Sequence, residues 1–240
     1  MGGEMSGAAR CAIMQPTFFP WAGYFNLISR ADAFVFLDNV QLEKQSWQTR
    51  NRVLANGREL YIVAPIENRS LLQTIAETRL HDPHRHFAKL AKQLTQAYSR
   101  HPHGPEMLER VLPVLLDQPE TLGEFNIHLI QRISGWLGLA PIFQLASGLA
   151  APGSRSERLV AICQALRCRH YLSPSGSLEY LMADRFPELS DITLEFQHYH
   201  PAPYRQFGTR GPFVSHLCIV DVVANLGWEQ AAVYVKQDST

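Results

Sequence analysis

The order of the first seventy residues constrains this chain most. Cys11–Met14 is a short apolar run followed closely by Pro16, which has no backbone N–H to give a sheet and so marks the end of a buried strand. Tyr24–Ser29, with Phe25, Leu27 and Ile28, reads as a short helix. Ala33–Leu37 is a second apolar run, ended by Asp38-Asn39, and Leu60–Ala64, ended by Pro65, reads as a third strand. Strand, loop, helix, strand is the opening of an α/β unit.

From about residue 84 to 140 the pattern turns helical. Phe87, Leu90, Ala91 and Leu94 recur at i, i+3, i+4, i+7, and Leu108, Val111, Leu112 and Leu115 repeat that spacing. Thr121 with Glu124 three residues on predicts a capping box, and Gly138 falls near the end of that helix. A second α/β section follows. Strands are expected at Pro141–Leu145, Arg169–Leu172 and Ile192–Phe196. Helices are expected after a Ser156 cap, at Leu178–Met182 and at Leu217–Ala224. The fold class that follows is α/β, a Rossmann-like, mainly parallel sheet with a helical insertion. The expected organisation is a flexible tail at 1–8 and a single α/β domain over 9–240, with the insertion at about 84–140.

Composition narrows the function. Of 240 residues 46% are hydrophobic and 18% charged, which excludes an intrinsically disordered chain. Lys plus Arg is 22 and Asp plus Glu is 22, so no global basic field exists to hold a nucleic acid. The apolar runs fall far short of the roughly 20 residues that cross a bilayer. Cys11, Cys163, Cys168 and Cys218 form no CxxC pair and read as buried, reduced thiols. A cytoplasmic protein without a membrane span is the expectation.

Four stretches carry candidate chemistry. Gln15 to Tyr24 leaves the carboxyl end of a strand, where open α/β sheets bind ligands, with aromatics to wall a pocket and the Gln15 amide as an anchor. Core packing competes for Phe18, Phe19 and Trp21. Asp38, Gln41, Lys44, Trp47, Arg50, Asn51 and Arg52 follow the second strand as a loop suited to an anion, arginine offering a planar fork and lysine a point charge. The competing view is a solvated surface loop. Ser175 and Gly176 sit in a small-residue turn that presents backbone N–H groups, with a helix cap as the plainer alternative. The last stretch runs from His198 through His200, Tyr204 and Gln206 to His216 and Asp221, where Asp221 interrupts an apolar face and is expected to serve structure. His81, His84, His86, His101 and His103 lack metal-ligand spacing and read as a surface cluster, so no metal site is assigned, and no cofactor either.

These residues resemble the WbqC-like family. The match opens with Gln15-Pro16-Thr17-Phe18-Phe19-Pro20-Trp21-Ala22-Gly23-Tyr24-Phe25 and continues through Ala31–Asp38, Val40–Lys44 and Ser46–Val53. His86, Tyr98, the Tyr171–Tyr180 turn, Pro203-Tyr204-Arg205-Gln206, Phe213–Ser215, Asp221 and Asn225-Leu226-Gly227 extend it over nearly the whole chain. Thr49 and Ala202 depart from the pattern. The resemblance implies a role in bacterial surface-polysaccharide (O-antigen) or specialised small-molecule biosynthesis. It also strengthens the anionic-ligand view of the second stretch.

The expected function is a transferase that moves an acyl, aminoacyl or similar activated group from a nucleotide- or carrier-protein-linked donor to an amine or sugar. Lys44, Arg50 and Arg52 would hold the anionic part of this small-molecule partner. Asp38 and Lys44, with His86 or His200, would serve catalysis, histidine because its pKa lies near neutrality. Gln15, Tyr24, Gln41, Trp47, Asn51, Ser175, Gly176, Tyr204 and Gln206 would position substrate. A non-catalytic binding or assembly protein is the alternative, nucleic-acid binding ranks last, and an oligomer is compatible with either.

Overall fold

The computed structural model describes residues 9–43, 45–67, 72–117 and 119–237. The tail at 1–8 and Lys44 lie outside them. Strands β1 (Arg10–Met14), β2 (Ala33–Phe36), β5 (Ile142–Leu145), β6 (His170–Ser173) and β7 (Thr193–Phe196) form one sheet in the order β5-β2-β1-β6-β7. Every pairing in it is parallel. The chain builds outward from β1 through β2 to β5, then returns to the other side of β1. The order therefore reverses between β1 and β6.

Both faces of the sheet are covered, which explains why its central strands read as continuous apolar runs rather than alternating ones. Cys11, Ile13, Ala33, Val35 and Tyr171 face a core closed by α5 (Arg155–Ala165), α6 (Leu178–Ala183) and α7 (Phe186–Leu189). Ala12, Phe34, Phe36 and Leu172 face the larger core. That core takes residues from α1 (Ala22–Ser29), α2 (Pro83–Tyr98), α3 (Gly104–Leu116), α4 (Leu122–Trp136) and α8 (Ile219–Val235). The helices of the 84–140 region thus pack into the same core as the sheet.

The capping box at Thr121 and Glu124 is present in both directions, and Gly138 takes a left-handed φ of 66° just past α4. Other local expectations are corrected. The third strand, read at Leu60–Ala64, is β4 (Arg58–Val63), and it does not join the parallel sheet. It forms an antiparallel hairpin with β3 (Arg50–Ala55), a strand in a region read as loop. The turn is Asn56-Gly57, both left-handed at φ 51° and 72°, the backbone a two-residue hairpin demands. Ser154, not Ser156, occupies the N-cap of α5, and the Ser156 hydroxyl donates to Asp184 instead. The last helix extends past Ala224 to Val235, broken at Gly227, where the ring of His103 lies 2.9 Å from the site a Cβ would take.

Candidate functional site

A pocket of about 290 Å³ opens at the carboxyl end of β1, the strand at the sheet's reversal point. Open α/β sheets bind ligands in the crevice such a reversal creates. Met14 and Thr17 come from the end of β1 and the loop after it, Trp21 and Tyr24 from the start of α1, Trp47 from the approach to β3, and Asn51 and Arg52 from β3 itself. His216, from the segment before α8, completes the wall.

The loop after β1 is fixed by backbone anchoring. Phe19 adopts a left-handed φ of 47°, costly for a bulky residue. The Asn51 amide holds it there, Nδ2 donating to the carbonyls of Phe18 at 3.2 Å and Phe19 at 2.7 Å. Phe18 N–H donates to the Trp47 carbonyl at 2.8 Å, so the loop and the approach to β3 are stitched together. Asn126 on α4 donates to the carbonyls of Pro16 and Gln48. Phe18 and Phe19 are fully buried core, whereas Trp21 faces the pocket.

Gln15 is held by protein partners: its side-chain oxygen accepts from Gln48 Nε2 at 2.8 Å, and its backbone carbonyl accepts from the Tyr24 hydroxyl at 3.0 Å. Burial raises the Tyr24 pKa well above its usual value, so this hydroxyl stays protonated. Trp47 is half exposed at the pocket, with the Arg52 guanidinium 5.9 Å from its ring centroid. Arg52 donates from Nη1 to Glu59 at 2.5 Å and from Nη2 to the Ser215 carbonyl at 3.3 Å.

His216 falls in the last of the four candidate stretches, where the sequence assigns it no role. Its ring centroid lies 4.5 Å from that of Trp21, and its Nδ1 is 2.8 Å from the Ser215 hydroxyl. Burial lowers its pKa, with the nearby charges of Arg52 and His200 acting the same way. The fold joins residues 14 to 24, 47 to 52 and 216, and no local pattern at 216 could announce that meeting.

Other candidates lie elsewhere. Asp38 is buried at the end of β2, where its two oxygens accept from the Ser147 N–H at 2.9 Å and hydroxyl at 2.6 Å, tying the ends of β2 and β5 together. It borders a second, wider depression of about 440 Å³ beside α4, whose Glu124 is engaged in the capping box. Gln41 is exposed and bridges to Thr74. Arg50 does not line the β1 pocket, and its guanidinium lies over the Tyr61 ring at 4.9 Å. Ser175 and Gly176 are exposed in a single turn after β6. Tyr204 donates to Asp221 at 2.6 Å, and the buried Gln206 exchanges two hydrogen bonds with Val214.

His200 is exposed yet close enough to influence His216. His86 is exposed in the first turn of α2, its ring nitrogen 2.9 Å from the Asp82 carbonyl. In the histidine cluster, His101 departs from the surface expectation, being buried against Tyr98 and Phe207. Among the described residues no group of three or more His, Cys, Asp or Glu is placed to hold a metal. None of the described helices is long and apolar enough to cross a membrane.

Fold and site together define a parallel α/β protein with an aromatic-walled, cation-bearing pocket at its reversal point. The sequence model of the WbqC-like protein family matches residues 15–233, and the chain belongs to that family. An uncharacterized protein of Mycobacterium tuberculosis is 28% identical over 223 residues, spanning 92% of this chain and 95% of that protein. No solved structure matches.

Proposed function

We propose that this WbqC-like protein is a biosynthetic transferase that moves an acyl, aminoacyl or related activated group from a nucleotide- or carrier-linked donor to an amine or sugar acceptor. The observation that carries this reading is the pocket at the end of β1. About 290 Å³ is near the lower end of small-molecule sites and suits one ring-sized group rather than a macromolecule. Trp21, Tyr24 and Trp47 supply flat apolar walls for a sugar ring or base, and Arg52 supplies positive charge for the donor's anionic portion. Arg50 stands two residues from Arg52 on β3, roughly 7 Å along an extended strand. It continues the positive charge outside the pocket.

Calorimetric titration of acetyl-coenzyme A, UDP and dTDP tests this reading. At least one should bind, and Trp47→Ala and Arg52→Gln should each weaken it tenfold or more. Trp47 is half exposed, so its variant keeps the fold even if loss of Arg52 loosens the 215–216 segment. Absence of binding by all three probes would sink the donor assignment.

The exposed Leu60, Tyr61 and Val63 on β4 favour the second reading, a binding or assembly protein, since an apolar edge strand is a ready pairing surface. Retained binding of a biosynthetic partner with no turnover of any donor would support it.

A further inference from the structure

We infer that His216 is the proton-accepting group of the β1 pocket, taking the proton that an acceptor amine or hydroxyl must lose on attack. The identity of that acceptor rests on the transferase reading; the placement of the base does not.

The first argument is how firmly the residue is held. His216 has a left-handed φ of 58°. For a residue other than glycine that is a strained backbone, and it persists only where neighbours enforce it. Here they do so from both sides. Arg52 Nη2 donates to the carbonyls of Ser215 and His216, at 3.3 and 3.5 Å. Two residues on, Cys218 N–H donates to the Arg52 carbonyl at 3.0 Å, and Ile219 N–H to the Pro20 carbonyl at 2.8 Å. Trp21 and Cys218 also form an isolated antiparallel bridge. The strained residue is thus pinned to the two segments that build the pocket.

The second argument is the ring. It lies tilted against Trp21 and engages Ser215 Oγ through Nδ1, which leaves Nε2 as the nitrogen able to meet a ligand. If Nδ1 carries the hydrogen and donates to Ser215, Nε2 presents a lone pair. The groups around it favour the neutral form. Arg52 on β3 and His200 before the last helix both oppose a positive charge, Glu59 on β4 offsets part of the Arg52 charge, and Tyr24 on α1 stays uncharged. Among the other described candidates, both Asp38 oxygens serve Ser147, and neither His86 nor His200 lines this pocket.

The step balances. The acceptor nitrogen forms a bond to the activated carbonyl carbon, and the bond from that carbon to the donor's phosphate oxygen or carrier sulfur breaks. His216 Nε2 takes the proton released by the nitrogen and returns it to the leaving group.

Nitrogen-15 NMR of the histidine rings tests the base directly, with His216→Asn to assign the signal. Asparagine tolerates the left-handed backbone, so this variant keeps the fold. The expected result is a His216 ring that is neutral at pH 7, hydrogen-bearing at Nδ1, and titrating below the usual histidine range. A ring charged at pH 7, or one hydrogen-bearing at Nε2, overturns the assignment. A second arm follows thiol release from acetyl-coenzyme A with a panel of amines, where His216→Asn should lower the rate about 10²-fold or more while acetyl-coenzyme A still binds. An undiminished rate in the variant also overturns it. If the intact protein releases no thiol with any amine, acetyl transfer from this donor fails, while a ring charged at pH 7 or hydrogen-bearing at Nε2 overturns the base whatever that assay gives.

Discussion

Asn51 lines the pocket, yet its side-chain amide is engaged by the backbone around it. Its amide carries two buried carbonyls of the loop after β1, and its side-chain oxygen accepts from the Arg52 N–H at 2.8 Å. Asn51→Ala leaves those carbonyls without a donor. The expected cost is about 1–3 kcal/mol in urea unfolding, with weaker binding of any pocket ligand because Phe19 is no longer held left-handed. Unchanged stability would mean that the loop conformation has another source. Gln15 and Gln206 follow the same logic, each closing loop geometry through partners in the protein. As residue types these amides and arginines were legible beforehand. Their partners were not, because a side chain's hydrogen bonds depend on which distant carbonyls the fold brings within about 3 Å.

At the scale of elements, the hairpin matters most. Arg52 sits opposite Tyr61 and Arg50 opposite Val63, so the Asn56-Gly57 turn sets which β4 side chains flank the pocket's cation. Gly57→Ala places a Cβ at a φ of 72° and should cost about 1 kcal/mol or more. Differential scanning calorimetry would read this as a lower Tm. A Tm equal to that of the intact chain would show that the turn does not need its glycine.

The sequence carried this hairpin in plain form, an Asn-Gly pair between two runs of strand-forming residues. Clustered charge at 50–52 favoured a loop instead. A strand with one face turned to solvent tolerates arginine at alternate positions, and Arg50 and Arg52 are such a pair. The capping box at Thr121 was readable because both of its bonds are local.

Across the whole molecule, Asp221 on α8 links elements far apart in sequence. It accepts from Tyr98 on α2 at 3.1 Å and from Tyr204 at 2.6 Å, and Tyr98 in turn accepts from the Leu54 N–H of β3. Burial pushes its pKa up from 3.8 to about 6, against the two tyrosine hydroxyls, which favour the charged form. Between about pH 4 and 6 the folded chain therefore keeps a proton that the unfolded chain has released. This group's contribution to stability is full below that window and is lost as pH rises through it, on the order of 2–3 kcal/mol in all. Asp221→Asn removes this dependence, so the stability of the variant relative to the parent should climb from pH 4 to 6 and then level. Parallel urea-unfolding profiles for the two chains would contradict that assignment.

The sequence by itself determined the class of fold. Short apolar runs alternating with 3.6-period segments require a sheet buried on both faces, and that requirement is local and additive along the chain. The family is likewise set by sequence, over residues 15–233. Tertiary structure alone decided where strand order reverses and which of the polar residues meet there. It drew Trp21, Arg52 and His216 around one cavity while giving Asp38, Tyr204 and Gln206 to structural bonds. The physical reason is separation: a site assembled from three segments spread over some two hundred residues is fixed by packing and backbone hydrogen bonds between them.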